Sequence, residues 1–425
     1  MKPATTPDTF RRRFLRNAAI AGYITGTAGP LPSALAAASS EPGNKGQIEP
    51  FHGAHQAGIT TPIQRHTYFI AFDLTTGSRD DVVKLLKAWT DATAQMTAIP
   101  ARFDTRADPQ QPSTESGATV GLSPSRLTVT FGFGAGLFTK DGKDRYGLAK
   151  FRPEALVDLP RFVGDQLVPE RTGGDLSIQA SADDFQVVEW AVRRLVKLAN
   201  GIAEMRWAQT GFTGGFKPGT TGRNQMGFLD GTINVPTQNT QAMNQFVWVG
   251  DEGPHWMHGG SYMVIRPIRI SLDHWDDMKI AFQEETMGRH KASGAPIGKQ
   301  HEFDPLGLDR EDKDGNPVIA EFSHAALSAP ENNHGAQILR RAFNYDNGIT
   351  KVAERWPPWR QLVTFDAGLL FQCYQKDPRT GFISIFGKMA QFDMLNQFAT
   401  HTGSGLFACP GGVPPGGFVG QNLFA

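Results

Sequence analysis

A chain of 425 residues, 40% apolar and 20% charged, has the balance of a globular protein and the length of two domains plus a removable leader. Its 42 lysines and arginines equal its 42 aspartates and glutamates, so no bulk field recruits nucleic acid or an acidic membrane, and partners must be read from local sites. The 2 cysteines, Cys373 and Cys409, exclude a disulfide framework and a four-thiolate metal site; each lies in an apolar, strand-like stretch and reads as a buried thiol.

In chain order, residues 1–38 come first as a processing segment. Arg11-Arg12-Arg13-Phe14-Leu15-Arg16 precedes a weakly apolar run over 18–28 and the small-residue cleavage patterns Ala34-Leu35-Ala36 and Ala36-Ala37-Ala38. The pattern resembles a twin-arginine signal, with Phe10 where a serine or threonine is usual; an ordinary secretory signal is the alternative. It is too short and too rich in glycine for a membrane span. Residues 39–60 read as a flexible mature N-terminus.

Over 61–215 the periodicity predicts a strand at 67–74, a helix at 79–96 with Val82, Leu86, Trp89, Thr93 and Met96 on one stripe, and strands at 127–133 and 175–180. A helix at 183–199 capped by Asp183 and a strand at 203–210 follow. This β-α-β-β-α-β order is the ferredoxin-like unit. Over 216–425 a second such unit is expected, with a strand at 261–272, a helix at 273–287, a strand at 367–375, a helix at 381–399 and a strand at 405–409. The fold class is α+β, two ferredoxin-like domains with antiparallel sheets. Two long stretches, 211–260 and 288–360, read as loops, and loops of that length are uncommon unless functional.

Those loops hold the polar groups that can do chemistry. Asp230, between glycines in GFLDGT (227–232), is either an Asp-Gly turn or a carboxylate presented to a bound ring. His324 in SHAAL can ligate a metal through one ring nitrogen while the other meets an acceptor, or can be an ordinary satisfied histidine. In ILRR (338–341), an arginine, Arg340 or its neighbour Arg341, can sit at the surface, cap a strand or reach an anion in a pocket. Taken singly, each bland reading outweighs the functional one. His255 and His258 form an HxxH in a setting of glycine and proline that does not favour a metal-binding helix, and His52 and His55 suggest no mechanism.

Taken together, RNQMGFLDGTINVP (223–236), SHAALSAP (323–330), ILRRAFNY (338–345) and GLLFQCYQKDPRTGF (368–382) resemble the dye-decolourising haem peroxidases. HQAGITTP (55–62), GDLSIQ (174–179), GGSYMVIRPIRI (259–270) and GRHKASGAPIG (288–298) extend the resemblance to the exported bacterial branch, also described as deferrochelatases. It covers nearly the whole mature chain and implies a fold of the dimeric α+β barrel type. It also implies one non-covalent haem b in the second domain, in keeping with the absence of CxxCH. Asp230 falls on the family's distal acid/base, Arg340 on its distal charge stabiliser and His324 on its axial iron ligand. Gly231, Thr232, Ile233, Ala329, Pro330 and Arg340 fall on haem contacts, and Leu370 and Phe371 are expected on the distal wall. The acidic residue that the family sets behind the axial histidine has a candidate in Asp393, with the assignment left open.

The implied activity is oxidation of dyes, phenols or related electron donors by hydrogen peroxide. Alternatives are release of iron from haem with the porphyrin intact, and a haem carrier without turnover. The implied partners are the twin-arginine export machinery and further copies of the chain, in a periplasmic or otherwise exported setting. An aspartate base, with a reference pKa of about 3.9, predicts turnover that peaks at acidic pH.

Overall fold

The computed structural model describes residues 48–425 apart from 104–107, 109, 112, 114, 218, 357 and 358, and side chains apart from those of 351–362. The expected leader, 1–38, and the following residues to 47 lie outside the described residues. The stretch 48–60, expected to be flexible, is packed. Phe51, Gln56 and Ile59 are buried, and the Gln56 amide donates to the carbonyls of Phe131 (3.0 Å) and Pro410 (2.9 Å).

The N-terminal half follows its periodicity closely. Strand β1 (His66–Leu74) leads into helix α1 (Arg79–Ala98), whose N-cap Ser78 accepts from the Asp81 amide. Strands β2 (Thr128–Phe133) and β3 (Leu176–Ala182), helix α2 (Phe185–Leu198) and strand β4 (Ala203–Phe212) complete the unit. The cap of α2 is Asp184 rather than Asp183. Asp183 is drawn off by Arg126, 3.3 Å away, and by the Arg65 amide. The sheet order is β4-β1-β3-β2, all antiparallel.

The C-terminal half repeats this order as β10-β5-β8-β7, from β5 (Ser261–Ile270), β7 (Phe343–Trp356), β8 (Trp359–Gln375) and β10 (Gly405–Cys409). Phe212 pairs with Asn344 and Phe133 with Ala408, so the two sheets close into one ring of strands. Inside the ring, polar side chains of both halves meet: the Tyr374 hydroxyl donates to Gln179 Oε1 at 2.7 Å, and Gln179 bonds Gln372.

Three expectations for this half need correction. The helix expected at 273–287 is two short ones, α3 (Leu272–Asp276) and α4 (Ile280–Met287). The Gln283 amide takes up the Trp275 carbonyl at the break (2.6 Å). The helix expected at 381–399 is α6 (Phe382–Phe392), which stops where Asp393 turns extended; a short strand β9 (Ala399–His401) then joins the edge of β5. The stretch 288–360 is not all loop. It contains helix α5 (His324–Ser328), strand β6 (Leu339–Arg340) and β7, which forms a long hairpin with β8. The pairing of β7 with β8 shifts register on both sides of Ile349, where the strand passes Asn347-Gly348. Among the described residues no helix is long and apolar enough to cross a membrane.

Candidate functional site

The C-terminal half is hollow. A cavity of about 1530 Å³, counting its mouth open to solvent, lies between the sheet, α5, α6 and the 224–235 loop. Ile268 and Ile270 of β5, Leu369 and Phe371 of β8, and Ile385, Phe386 and Met389 of α6 supply apolar walls.

His324 is the first residue of α5, fixed there because Ser323 caps the helix. Its Nδ1 lies 2.7 Å from Asp393 Oδ2, and the other Asp393 oxygen accepts from the Leu395 amide at 2.8 Å. A carboxylate only accepts, so Nδ1 carries the proton, and in the neutral ring the lone pair is on Nε2 of a residue that lines the cavity. Burial pushes the imidazole's pKa down, but the Asp393 charge and hydrogen bond outweigh it, and the net shift is upward. Asp393 is thus the acid behind the histidine, a pairing the sequence left open. It caps the turn after α6 and is 3% exposed.

Asp230 reaches the cavity from a loop that only glycine can build. Gly227 and Gly231 have φ of +84° and +110°, and the Asp230 amide donates to Gly222 at 2.9 Å. Its Oδ1 accepts from Arg340 Nη1 at 3.0 Å. Arg340 is held in β6 opposite Cys373, and Asn234 grips both its backbone groups: Arg340 N donates to Asn234 Oδ1 and Asn234 Nδ2 to Arg340 O, each at 2.8 Å. Asn234 was not singled out in the sequence; only its place in the GFLDGTINVP motif marks it.

Strand alternation separates the two arginines. Arg340 enters the cavity, whereas Arg341 points away, bonding the Thr61 carbonyl and Gln64, and burial lowers its pKa to about 10. The same alternation corrects one wall residue: Leu369 and Phe371 line the cavity, while Leu370 packs with Phe69 and Trp207 in another cluster.

Gly231, Thr232, Ile233, Ala329 and Pro330 all line the cavity with His324, Asp230 and Arg340. So does His401 of β9, whose imidazole pKa is pushed well below its usual value by burial and by neighbouring Arg266. The other histidines lie elsewhere. His55 stacks on Trp248 at 3.8 Å and bonds the Gly259 carbonyl at 2.6 Å, so the HQAGI and HGG motifs brace each other. His52 bonds the Val413 carbonyl, and His258 the Gly253 carbonyl.

The arrangement fits a large, mostly apolar ligand with a metal at its centre and acid groups at its edge. The carboxylate-backed histidine leaves Nε2 as the nitrogen it can offer to a metal, the walls suit a flat hydrocarbon ring, and a buried guanidinium nitrogen, Arg289 Nη2, has no hydrogen-bond partner.

Comparison with known proteins agrees with this geometry. Residues 56–213 match the family profile described as Dyp-type peroxidase, N-terminal, and residues 221–414 the one described as Dyp-type peroxidase, C-terminal. The chain is 36% identical to a dye-decolorizing peroxidase of Thermobifida fusca (strain YX), over 99% of each protein. It is 33% identical to a deferrochelatase of Escherichia coli (strain K12), over 97% of this chain and 96% of that one. Ferric DtpA from Streptomyces lividans superposes with a TM-score of 0.80 at 37% identity, over 90% of this chain and 98% of that one.

Proposed function

The chain belongs to the Dyp-type peroxidase family, and from that premise we propose that Asp230 and Arg340 handle the peroxide and that His324 is the protein ligand of the haem iron. The enzyme is a haem peroxidase that takes hydrogen peroxide and an organic electron donor. Bound haem supplies a ferric centre that binds peroxide and passes on the electrons of the donor. The remaining work falls to the chain. His324, held by Asp393, offers Nε2 to the iron. Asp230 accepts the proton of the incoming peroxide and returns it to the departing oxygen. Arg340 stays protonated, so it contributes charge and hydrogen bonds to the O–O group rather than a proton. In the present structure it holds Asp230 by Oδ1 and leaves Oδ2 for the proton. The apolar walls keep water from competing.

The observation that carries this reading is that a carboxylate-backed histidine and an aspartate–arginine pair, far apart in sequence, line one cavity. The test is to load the purified chain with haem and record its absorption before and after one equivalent of peroxide. A Soret band that shifts with peroxide and returns on adding an anthraquinone dye is expected; no haem uptake, or no shift, defeats the reading.

The deferrochelatase relative favours a second use of the same cavity, release of iron from haem. Chromatography for iron-free porphyrin after incubation with haem separates the two. A carrier without turnover has no need of Asp230 beside Arg340. The proposal further includes export through a twin-arginine signal at 1–38, tested by replacing Arg11 to Arg13 with lysine and fractionating cells, and self-association, tested by sedimentation.

A further inference from the structure

Arg341 has no part in the chemistry above, yet it follows Arg340 directly and is buried. Strand β6 is only two residues long and its ties to β8 are few. Leu339 and Arg340 pair with Tyr374 and Cys373, and the Arg341 amide donates to the Gln372 carbonyl at 2.8 Å. On the face of the sheet turned away from the cavity, the Arg341 guanidinium spans two acceptors, with Nη1 on the Thr61 carbonyl and Nη2 on Gln64 Oε1. Both acceptors belong to the segment that precedes β1, and that segment is laced to the N-terminal half as a strap. Gln64 Nε2 donates to the Arg126 carbonyl (3.0 Å) and to Thr128 Oγ1 (2.9 Å). Arg126 Nη2 donates to the Pro62 carbonyl (2.9 Å), and Thr130 Oγ1 to the Ala57 carbonyl (2.8 Å). A Cβ at Gly58 would lie 2.5 Å from Thr130 Oγ1, so strap and β2 touch.

Both acceptors of Arg341 are neutral oxygens. Burying a guanidinium on neutral oxygens costs more than filling the space with an apolar side chain, so packing alone does not account for the residue. What arginine adds is direction, because its planar fork fixes two bonds at once. The fork leaves β6 across the sheet, whereas the Asn234 bonds to the Arg340 backbone lie along the strand's edge. The edge bonds stop the strand from sliding. The fork stops it from rolling about its own axis, the motion that would swing the long Arg340 side chain away from Asp230.

We propose that Arg341, held by the strap, is a positioning residue for Arg340: it sets the roll of β6 and so the place of the Arg340 guanidinium in the cavity. The inference rests on the reading that Arg340 serves the ligand bound at the iron. It makes a segment of the N-terminal half part of what shapes the site in the other half.

The test titrates the haem-loaded full chain with fluoride, a small anion that binds ferric haem and accepts a hydrogen bond from a neighbouring guanidinium. Arg340→Leu is the reference and should weaken fluoride binding most. Arg341→Met should weaken it roughly tenfold, with Gln64→Leu and Arg341→Lys in between, while haem affinity stays within about twofold of wild type. Val188→Ala, in the core of the N-terminal half, should lower the unfolding midpoint and leave fluoride affinity unchanged. Rapid mixing with peroxide should rank the variants in the same order as fluoride does. An Arg341→Met chain that unfolds more easily yet binds fluoride as the wild type does is a packing variant only; it overturns the inference and leaves the Arg340 reading standing. Unchanged fluoride affinity in Arg340→Leu overturns both. Should Arg341→Met fail to fold, Gln64→Leu and Arg341→Lys decide by the same measure: weakened fluoride binding in both supports the positioning role, and wild-type binding in both ends it.

Discussion

The two halves share one strand order but use the face of the sheet differently. In the N-terminal half, α1 and α2 run unbroken, and Trp89, Phe72, Phe131, Leu86 and Val188 form part of one large continuous core. In the C-terminal half the first crossover is broken into α3 and α4, α6 stops at Phe392, and the buried apolar residues fall into several small clusters around the cavity. Topology therefore dictates the scaffold but not its filling. Shortening and breaking the helical layer is how a closed fold makes room for a large ligand, and the polar groups gather where that layer is interrupted.

Substitutions that should behave oppositely in the two halves can break this contrast. Trp89→Ala removes a fully buried side chain and its bond from Nε1 to the Leu195 carbonyl. It should cost about 3–5 kcal/mol in urea unfolding; a loss under about 1 kcal/mol would mean the N-terminal core is not the filled one. Asp230→Asn should do the reverse, slowing peroxide cleavage about 10²- to 10⁴-fold in rapid mixing while the unfolding midpoint stays put. A slowing of less than tenfold removes Asp230 from proton transfer. Asp393→Asn withdraws the charge behind His324 and should weaken haem binding about 10- to 100-fold, read by competition with an apo-globin. Unchanged affinity would make that pair purely structural.

The smallest effect concerns the rim of the C-terminal sheet. Burial pushes the Asp366 carboxyl up, but hydrogen bonds from Asn347 and Arg269 outweigh it and hold its pKa below 3.8. A depressed carboxylate stabilises the folded state above its unfolded pKa and ceases to do so as pH falls through the folded value. Asp366→Asn should therefore cost up to about 1 kcal/mol at pH 6, and the difference from wild type should vanish as pH drops well below 3.8. A gap that persists in acid would assign the effect to packing.

The N-terminal half was the more legible in sequence because its elements keep their period: the stripe through Trp89 and the alternation in β1 need no knowledge of distant residues. The C-terminal half hides its pattern for identifiable reasons. Strand β7 shifts register against β8 on both sides of Ile349, where it passes Asn347-Gly348, and a shifted strand keeps no steady alternation. Leu370 and Leu369 are equally apolar, and only the register of β8 against β5 decides which one faces the cavity. Of the site itself, the motifs around Asp230, His324 and Arg340 were visible as short strings. The links between them were not, because Asp393 meets His324 and Asn234 meets Arg340 only through tertiary folding.

The Asn234 grip on both main-chain groups of Arg340 reaches beyond its own loop. It splices the segment that carries the aspartate to the segment that carries the guanidinium. The spacing between the two main-chain segments is set by covalent geometry and a pair of bonds from one amide side chain, so the direct contact between the two charges spans a short, fixed gap. A substitution that cuts this splice, Asn234→Ala, should therefore loosen both charges at once rather than one alone.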